Sequence, residues 1–346
     1  MRSPKFAKLL DYIHANPSSS SKAIHDGADL DVGYATIKRL LSQLVAEGQI
    51  STTGQGRGTR YVPSAYSELF APVDLDDYFA KEIDERDVKL SFNMALLTEV
   101  LPQVDIFSKD ELQTLEQLQQ RYTHNIGQLS DAQYHSELER LAIDLSWKSS
   151  QIEGNTYSLL ETERLLKEKE TAEGKPKDDA TMLLNHKEAL DFIIANPGFT
   201  FPLSVARIED IHSLLMNELG VDRNIRKRKV GITGTNYVPL DNEFQIREAL
   251  ELTCKLVNDK SNVFEKAFLV LVLLSYIQAF SDGNKRTARI MSNTVLIDFK
   301  HCPISFRTVS SIDYKKAMLL FYEQNNMSAF KQIFISQFEF AVNTYF

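Results

Sequence analysis

The polarity pattern of the chain is densest in information between residues 263 and 299. From Ala267 to Tyr276 every position is apolar except Ser275, with Glu265 and Lys266 just before the run. About 20 apolar residues are needed to cross a bilayer, so this shorter run predicts a helix buried on all sides rather than a membrane span. Ser281-Asp282-Gly283-Asn284 breaks it. Helical spacing resumes over Thr287–Phe299, with Ile290, Met291, Thr294, Val295 and Ile297 in register. Upstream, helices are predicted over Leu90–Leu101, Lys109–Tyr122 and Gln133–Ser150, with Leu145 and Trp147 as core positions. Glu161–Glu173 reads as a charged helix with a solvated face. Tyr314–Phe346 places aromatics at helical spacing, which suits core packing or a dimer contact. The expected fold is mainly α.

The first 64 residues have their own pattern. Phe6, Leu9, Leu10 and Ile13 form one stripe that ends near Asn16-Pro17, and Ser21–Ala28 predicts a short second helix. After a turn at Asp31-Val32-Gly33, a third helix is expected over Tyr34–Glu47, with Ile37, Leu40, Leu41, Leu44 and Val45 apolar. A Gly-rich basic stretch, Thr53–Val62, follows and predicts a hairpin. Three helices and such a hairpin resemble a winged helix-turn-helix, a small α+β module. The resemblance places Tyr34, Thr36, Lys38 and Arg39 on a recognition helix, and Arg57 and Arg60 on the wing. Such residues contact phosphates, while base edges supply specificity.

Charge sharpens this division. The chain carries a net −8, yet residues 1–66 hold eight Lys/Arg against five Asp/Glu, so a +3 head precedes a −11 remainder. A basic head on an acidic chain points to DNA as a partner. At only +3, binding by a single copy is expected to be weak, which favours a homodimer. Residues 65–87, rich in Asp, Glu and Pro, read as a linker, and 88–346 as the second domain. At 346 residues the chain suits two or three domains. Cys254 and Cys302 show no metal or disulfide spacing, and the first residues lack the apolar stretch of a signal peptide. A cytoplasmic protein with free thiols and no membrane segment is expected. The seven histidines are scattered, without zinc spacing.

The chemistry concentrates at the break between the two apolar helices. Gly283 permits backbone angles that other residues resist. Free N–H groups at the start of the second helix attract an anion, and Lys285, Arg286 and Arg289 add donors, the arginines with forks that match phosphate. Asp282 offers an oxygen to Mg²⁺. The run Gln278-Ala279-Phe280-Ser281-Asp282-Gly283-Asn284-Lys285-Arg286-Thr287-Ala288-Arg289 resembles the active-site motif of the Fic (Fic/Doc) family, His-x-Phe-x-Asp/Glu-Gly-Asn-Gly/Lys-Arg-x-x-Arg. Phe280, Asp282, Gly283, Asn284, Lys285, Arg286 and Arg289 match in register. Gln278 departs, standing where the family has its histidine. The resemblance implies a helical bundle in which Gly283, Asn284 and Arg286 hold nucleotide phosphates, with Lys285 and Arg289 beside them. It also implies that Asp282 carries Mg²⁺ and that Phe280 packs the loop in place.

Two further segments fit the same resemblance. Ser149-Ser150-Gln151-Ile152-Glu153-Gly154-Asn155 is similar to the family's inhibitory motif, Ser/Thr-x-x-x-Glu-Gly/Asn, whose glutamate pairs with the second arginine, here Arg289, and displaces the γ-phosphate of ATP. By itself, Glu153-Gly154-Asn155 reads as a helix C-terminus. Lys229–Pro239 alternates small and β-prone residues around Gly234 and predicts a hairpin, which the resemblance makes a flap, Gly231-Ile232-Thr233-Gly234-Thr235-Asn236-Tyr237, that pairs with a target segment. The bundle is then divided as 88–165 with the inhibitory helix, 166–310 as the Fic core and 311–346 as C-terminal helices.

The implied activity is transfer of AMP from ATP to a hydroxyl of a target protein or of the chain itself. In that reaction the motif histidine takes the hydroxyl proton. A glutamine amide orients a hydroxyl but takes no proton near neutral pH, so Gln278 predicts weakened transfer on an otherwise complete site. The competing reading is a nucleotide-sensing, DNA-binding regulator without transferase activity. A third, γ-phosphate transfer as in Doc-like members, is suggested by Lys285 and opposed by Glu153.

Overall fold

Leu9, Leu10 and Ile13 lie on the buried face of α1 (Pro4–Ala15) in the computed structural model, which describes residues 4–346. Ile24 of α2 (Ser21–Gly27) and Ile37, Leu40, Leu41 and Leu44 of α3 (Tyr34–Ala46) close over them, with Ile50 completing a small core. Ser20 caps α2 by accepting from the Ala23 amide. The wing is an antiparallel pair, β1 (Ile50–Thr53) with β2 (Arg60–Pro63), in the register Ile50 to Pro63 and Thr53 to Arg60. Gly54 sits at φ +74°, and a Cβ there would lie 2.6 Å from the Gly58 carbonyl, so the connection demands glycine.

The segment 65–87, read as a linker, contains two short helices. Its first part is α4 (Ala65–Phe70), capped by Ser64, with Ser67, Leu69 and Phe70 buried. The chain divides into two compact units at Val73/Asp74. Beyond that point, α5 (Leu75–Ala80) is capped by Asp74, and Tyr78 on it donates to Glu323 at 2.7 Å. The acidic composition concealed two short amphipathic helices, each with an Ser or Asp cap.

The second unit continues with α6 (Lys109–Ile126), α7 (Asp131–Ile152), α8 (Leu159–Glu168), α9 (Lys177–Ala195), α10 (Val205–Leu215), α11 (Glu243–Asp259), α12 (Val263–Ile277), α13 (Asn284–Asp298), α14 (Ser311–Gln324) and α15 (Ser328–Thr344). At its centre is α12, buried at every position from Phe264 to Ile277 and packed on α13. Among the described residues no helix is long and apolar enough to cross a membrane. The tail aromatics Tyr314, Phe321, Phe330, Phe334 and Phe338 are buried in this core. Cys254 and Cys302 are buried thiols.

Two predicted elements differ. Leu90–Leu101 is not one helix: Leu90 is extended and accepts from the Val238 amide at 2.9 Å, and only Leu96–Val100 and Leu101–Gln103 make short helical turns. The stretch from Lys229 to Pro239 is not a paired hairpin. It turns at Thr233-Gly234, with Gly234 at φ +91°, and forms a single bridge, Ser91 to Val238. Apart from the Tyr237 amide, which donates to Thr235 Oγ1 at 3.1 Å, its polar groups bond to other segments.

Candidate active site

The connection between α12 and α13 is bracketed by two left-handed residues, Gln278 at φ +52° and Gly283 at φ +78°. Gln278 ends α12, and its amide nitrogen donates to the Ser275 carbonyl at 2.6 Å and lies 3.3 Å from the Tyr322 hydroxyl. Gly283 starts α13, and a Cβ there would fall 2.5 Å from Cε of Met216. Between them Phe280 stacks on His212, ring centroids 3.6 Å apart and planes within 7°. His212 in turn sets Nε2 3.0 Å from the Asp282 carbonyl and Nδ1 3.2 Å from that of Arg223.

Asn284 braces this loop rather than facing a ligand. Its Oδ1 accepts from the Phe280 amide at 2.8 Å and its Nδ2 donates to the Phe280 carbonyl at 2.7 Å. The carboxamide closes a ring with the loop backbone and both its ends are used, so any contact of Asn284 with a phosphate falls to its main-chain N–H at the start of α13. Asp282 points outward, 63% exposed, with Oδ2 accepting from Arg286 at 3.0 Å and Oδ1 from the Gly283 amide.

Arg286 is 2% exposed. Its Nη2 serves Asp282, while Nε and Nη1 are buried without a hydrogen-bond partner. Two orphaned guanidinium donors beside a helix N-terminus are costly unless an anion takes them. Asp282 beside them fits the single protein carboxylate of a magnesium–nucleotide complex, where phosphates and water supply the other ligands.

The inhibitory segment reaches the same place from α7. Ser149 Oγ accepts from Arg289 Nε at 2.8 Å and the Ser149 carbonyl from Nη2 at 2.9 Å. Glu153, at the C-cap, accepts from Arg289 Nη2 at 2.7 Å through one oxygen and from Lys285 Nζ at 2.9 Å through the other. Burial would raise the Glu153 pKa, but Arg289 and then Lys285 overcome it and hold the carboxyl at about 2. Gly154 makes the turn at φ +103°. Asn155 does not join the arginine: its Nδ2 donates to the Asp179 carbonyl and its Oδ1 accepts from the Tyr157 amide, tying the turn to α9. An Asn after a helix end readily bonds local backbone.

A pocket of about 360 Å³ collects the pieces: Glu153, Gln278, Lys285, the flap residues Gly231, Ile232 and Thr233, and Tyr314, Met318 and Tyr322 of α14. No histidine lines it. His186 is fully buried and held well below the usual range by burial, then by Arg289 and Arg286, so it is neutral. His212 lies under the loop and is also lowered by burial.

Residue types alone missed what positions the flap. Arg226 donates through Nε to the Gln278 carbonyl at 2.6 Å, through Nη1 to Arg228 at 2.8 Å, and through Nη2 to Leu240, while its amide donates to Ala279. Arg86 donates to the Gly234 carbonyl at 2.7 Å and pairs with buried Glu323. Asn236 donates to Asp84, and Tyr237 to the Tyr276 carbonyl. Arg226 sits in the basic run Arg226-Lys227-Arg228-Lys229, and nothing in the residue pattern singles it out.

In the N-terminal unit, Tyr34, Lys38, Arg39, Arg57 and Arg60 are exposed and Thr36 is half-buried. Tyr34 OH lies 2.8 Å from Ser21 Oγ, and Lys38 Nζ sits 5.1 Å above the Tyr34 ring. Among the described residues, none of these four cations is paired with a carboxylate, as a phosphate-facing surface requires.

Comparison with known proteins agrees with this anatomy. The Fic/DOC family model matches residues 202–296, and the penicillinase repressor model matches residues 3–121. A protein adenylyltransferase Fic from Nematostella vectensis is 27% identical over 174 residues, 49% of this chain and 40% of that protein. The match thus spans well under half of that relative. Fic-1 from C. elegans shares the fold at TM-score 0.59 and 18% identity, over 68% of this chain and 72% of the other. A Fic domain containing signaling protein from Bacteroides thetaiotaomicron does so at TM-score 0.56 and 18% identity, over 66% and 94%. A Fic family protein from Desulfovibrio desulfuricans gives 0.57 and 16%, over 68% and 72%. The chain therefore carries a Fic/DOC domain, and ahead of it a winged helix-turn-helix module.

Proposed function

We propose that this chain binds ATP at the α12–α13 loop and transfers AMP to a protein hydroxyl, slowly, under inhibition by Glu153. The observation that carries the reading is the pair of buried, unpartnered donors on Arg286 beside the N-terminus of α13. The Nematostella vectensis relative, an adenylyltransferase by name, supports the same chemistry. In the reaction the target hydroxyl attacks the α-phosphorus, a new O–P bond forms, the bond to the β-phosphate oxygen breaks, and pyrophosphate leaves. Arg286 offsets the charge that builds on the phosphate oxygens, the kind of electrostatic stabilisation that often dominates catalysis. Asp282 would hold Mg²⁺, which neutralises phosphate charge when bound. Gln278 orients the hydroxyl but leaves its proton to solvent. A missing general base costs ~10²–10⁴ in rate, hence a weak transferase. The flap segment Gly231–Tyr237, held by Arg86 and Arg226, supplies the wall against which a target segment docks.

Isotopic labelling tests this in the full-length chain. Glu153→Gly is expected to bind ATP and label itself with AMP, and Glu153→Gly/Arg286→Ala to do neither. Unchanged ATP affinity after loss of Arg286 would overturn the assignment of the phosphate site.

One observation favours a second reading. The Gln278 amide nitrogen is committed to Ser275, and no histidine lines the pocket. A site that binds nucleotide without transfer would make the chain a nucleotide-responsive DNA-binding regulator. ATP-dependent retention of DNA without labelling in any histidine-free variant supports that reading.

A further inference from the structure

Glu153 divides its two carboxylate oxygens between two cations of unlike character. Arg289 is fully buried and is fixed independently by two bonds to Ser149, so it cannot leave. Lys285 is 26% exposed on its side chain and, among the described residues, has Glu153 as its sole hydrogen-bond partner. It stands on the first turn of α13, next in sequence to Arg286, and lines the same pocket as Glu153 and Gln278. A lysine is a compact charge on a flexible stem, able to move between acceptors without losing geometry. A partly exposed pair of this kind is weak, so a richer anion can compete for it.

We infer that Lys285 is a shared cation, exchanged between the inhibitory carboxylate and the polyphosphate of the incoming nucleotide. Phosphate charge beyond the α-position draws Lys285 off one oxygen of Glu153, which leaves the carboxylate held by Arg289 alone. The site thereby selects nucleoside di- and triphosphates over monophosphates, and inhibition and substrate selection run through one side chain. This rests on the nucleotide-binding reading of the site.

The test is a double-substitution cycle on the full-length chain, with magnesium–ATP and AMP as the two probes. In Glu153→Gly, adding Lys285→Met is expected to weaken ATP binding about tenfold and AMP binding less than about twofold. With Glu153 present, Lys285→Met is expected to weaken ATP less than about threefold, because loss of the phosphate contact is offset by loss of the inhibitory pair. Equal weakening of ATP in both backgrounds would overturn the shared cation and leave Lys285 a plain phosphate contact. No weakening in either background, or equal weakening of ATP and AMP, would overturn it as well. Absence of ATP binding by Glu153→Gly would instead overturn the nucleotide reading beneath it.

Discussion

Arg286 and Arg289 stand three residues apart on α13, both sealed from solvent, yet their surroundings assign them opposite states. Arg289 engages Ser149 and Glu153 through Nε and Nη2 and leaves only Nη1 without a partner, whereas Arg286 keeps two donors idle. The difference makes Glu153 a pH-dependent element. Its folded pKa of about 2 lies below the ordinary 4.5, so its stabilisation is complete above pH 4.5 and is lost as pH falls toward 2. Between pH 5 and 3.5 the wild type is expected to lose about 1 kcal/mol more stability than Glu153→Gln. Urea unfolding of the two chains measures this, and equal losses would contradict the pairing. Gly283 is the other sensitive residue. Gly283→Ala places an L-residue at φ +78° against Met216, at a cost of about 1–2 kcal/mol, visible as a lowered Tm. The chemistry of these residues was legible because the motif is contiguous. The bracing of the loop by Asn284 and of the turn by Asn155 was not legible, because a carboxamide satisfies nearby backbone as readily as a ligand.

At the scale of elements, the apolar run of α12 from Ala267 and the α13 that follows the break were readable from polarity alone, since a helix buried all round has no solvated face. The flap was not. Its expected cross-strand bonds are replaced by side chains from far along the chain, Arg86 some 148 residues before Gly234 and Arg226 closer by. No local pattern records such partners. The same holds for 65–87, where acidic composition hid two short helices, of which the first buries three residues and the second none. Arg226 is expected to govern flap order. Arg226→Met leaves the carbonyls of Gln278, Arg228 and Leu240 without their donor, at a cost of about 3 kcal/mol. Amide exchange across residues 229–240 should then accelerate, with α12 protected as before. Unchanged exchange there would remove Arg226 from the account of the flap.

Across the whole molecule, a +3 head and a −11 remainder match a DNA-facing module joined to a nucleotide-binding one. The head's exposed, unpaired cations predict salt-dependent binding to duplex DNA. Arg57→Ala should lower the salt-dependence slope by about one and weaken binding evenly across sequences. An unchanged slope would make the wing a protein-contact surface. For the larger unit, the central claim is that the phosphate site is intact and that one side chain limits the chemistry. Gln278 occupies a left-handed position that histidine tolerates better than most residues, so Gln278→His substitutes without rebuilding the loop. The most direct measurement compares AMP transfer by Glu153→Gly and Glu153→Gly/Gln278→His at saturating ATP, alongside their ATP affinities. The account predicts affinities within about threefold and a transfer rate raised by ~10²–10⁴ in the histidine variant. Equal transfer rates in two variants that bind ATP equally would contradict it.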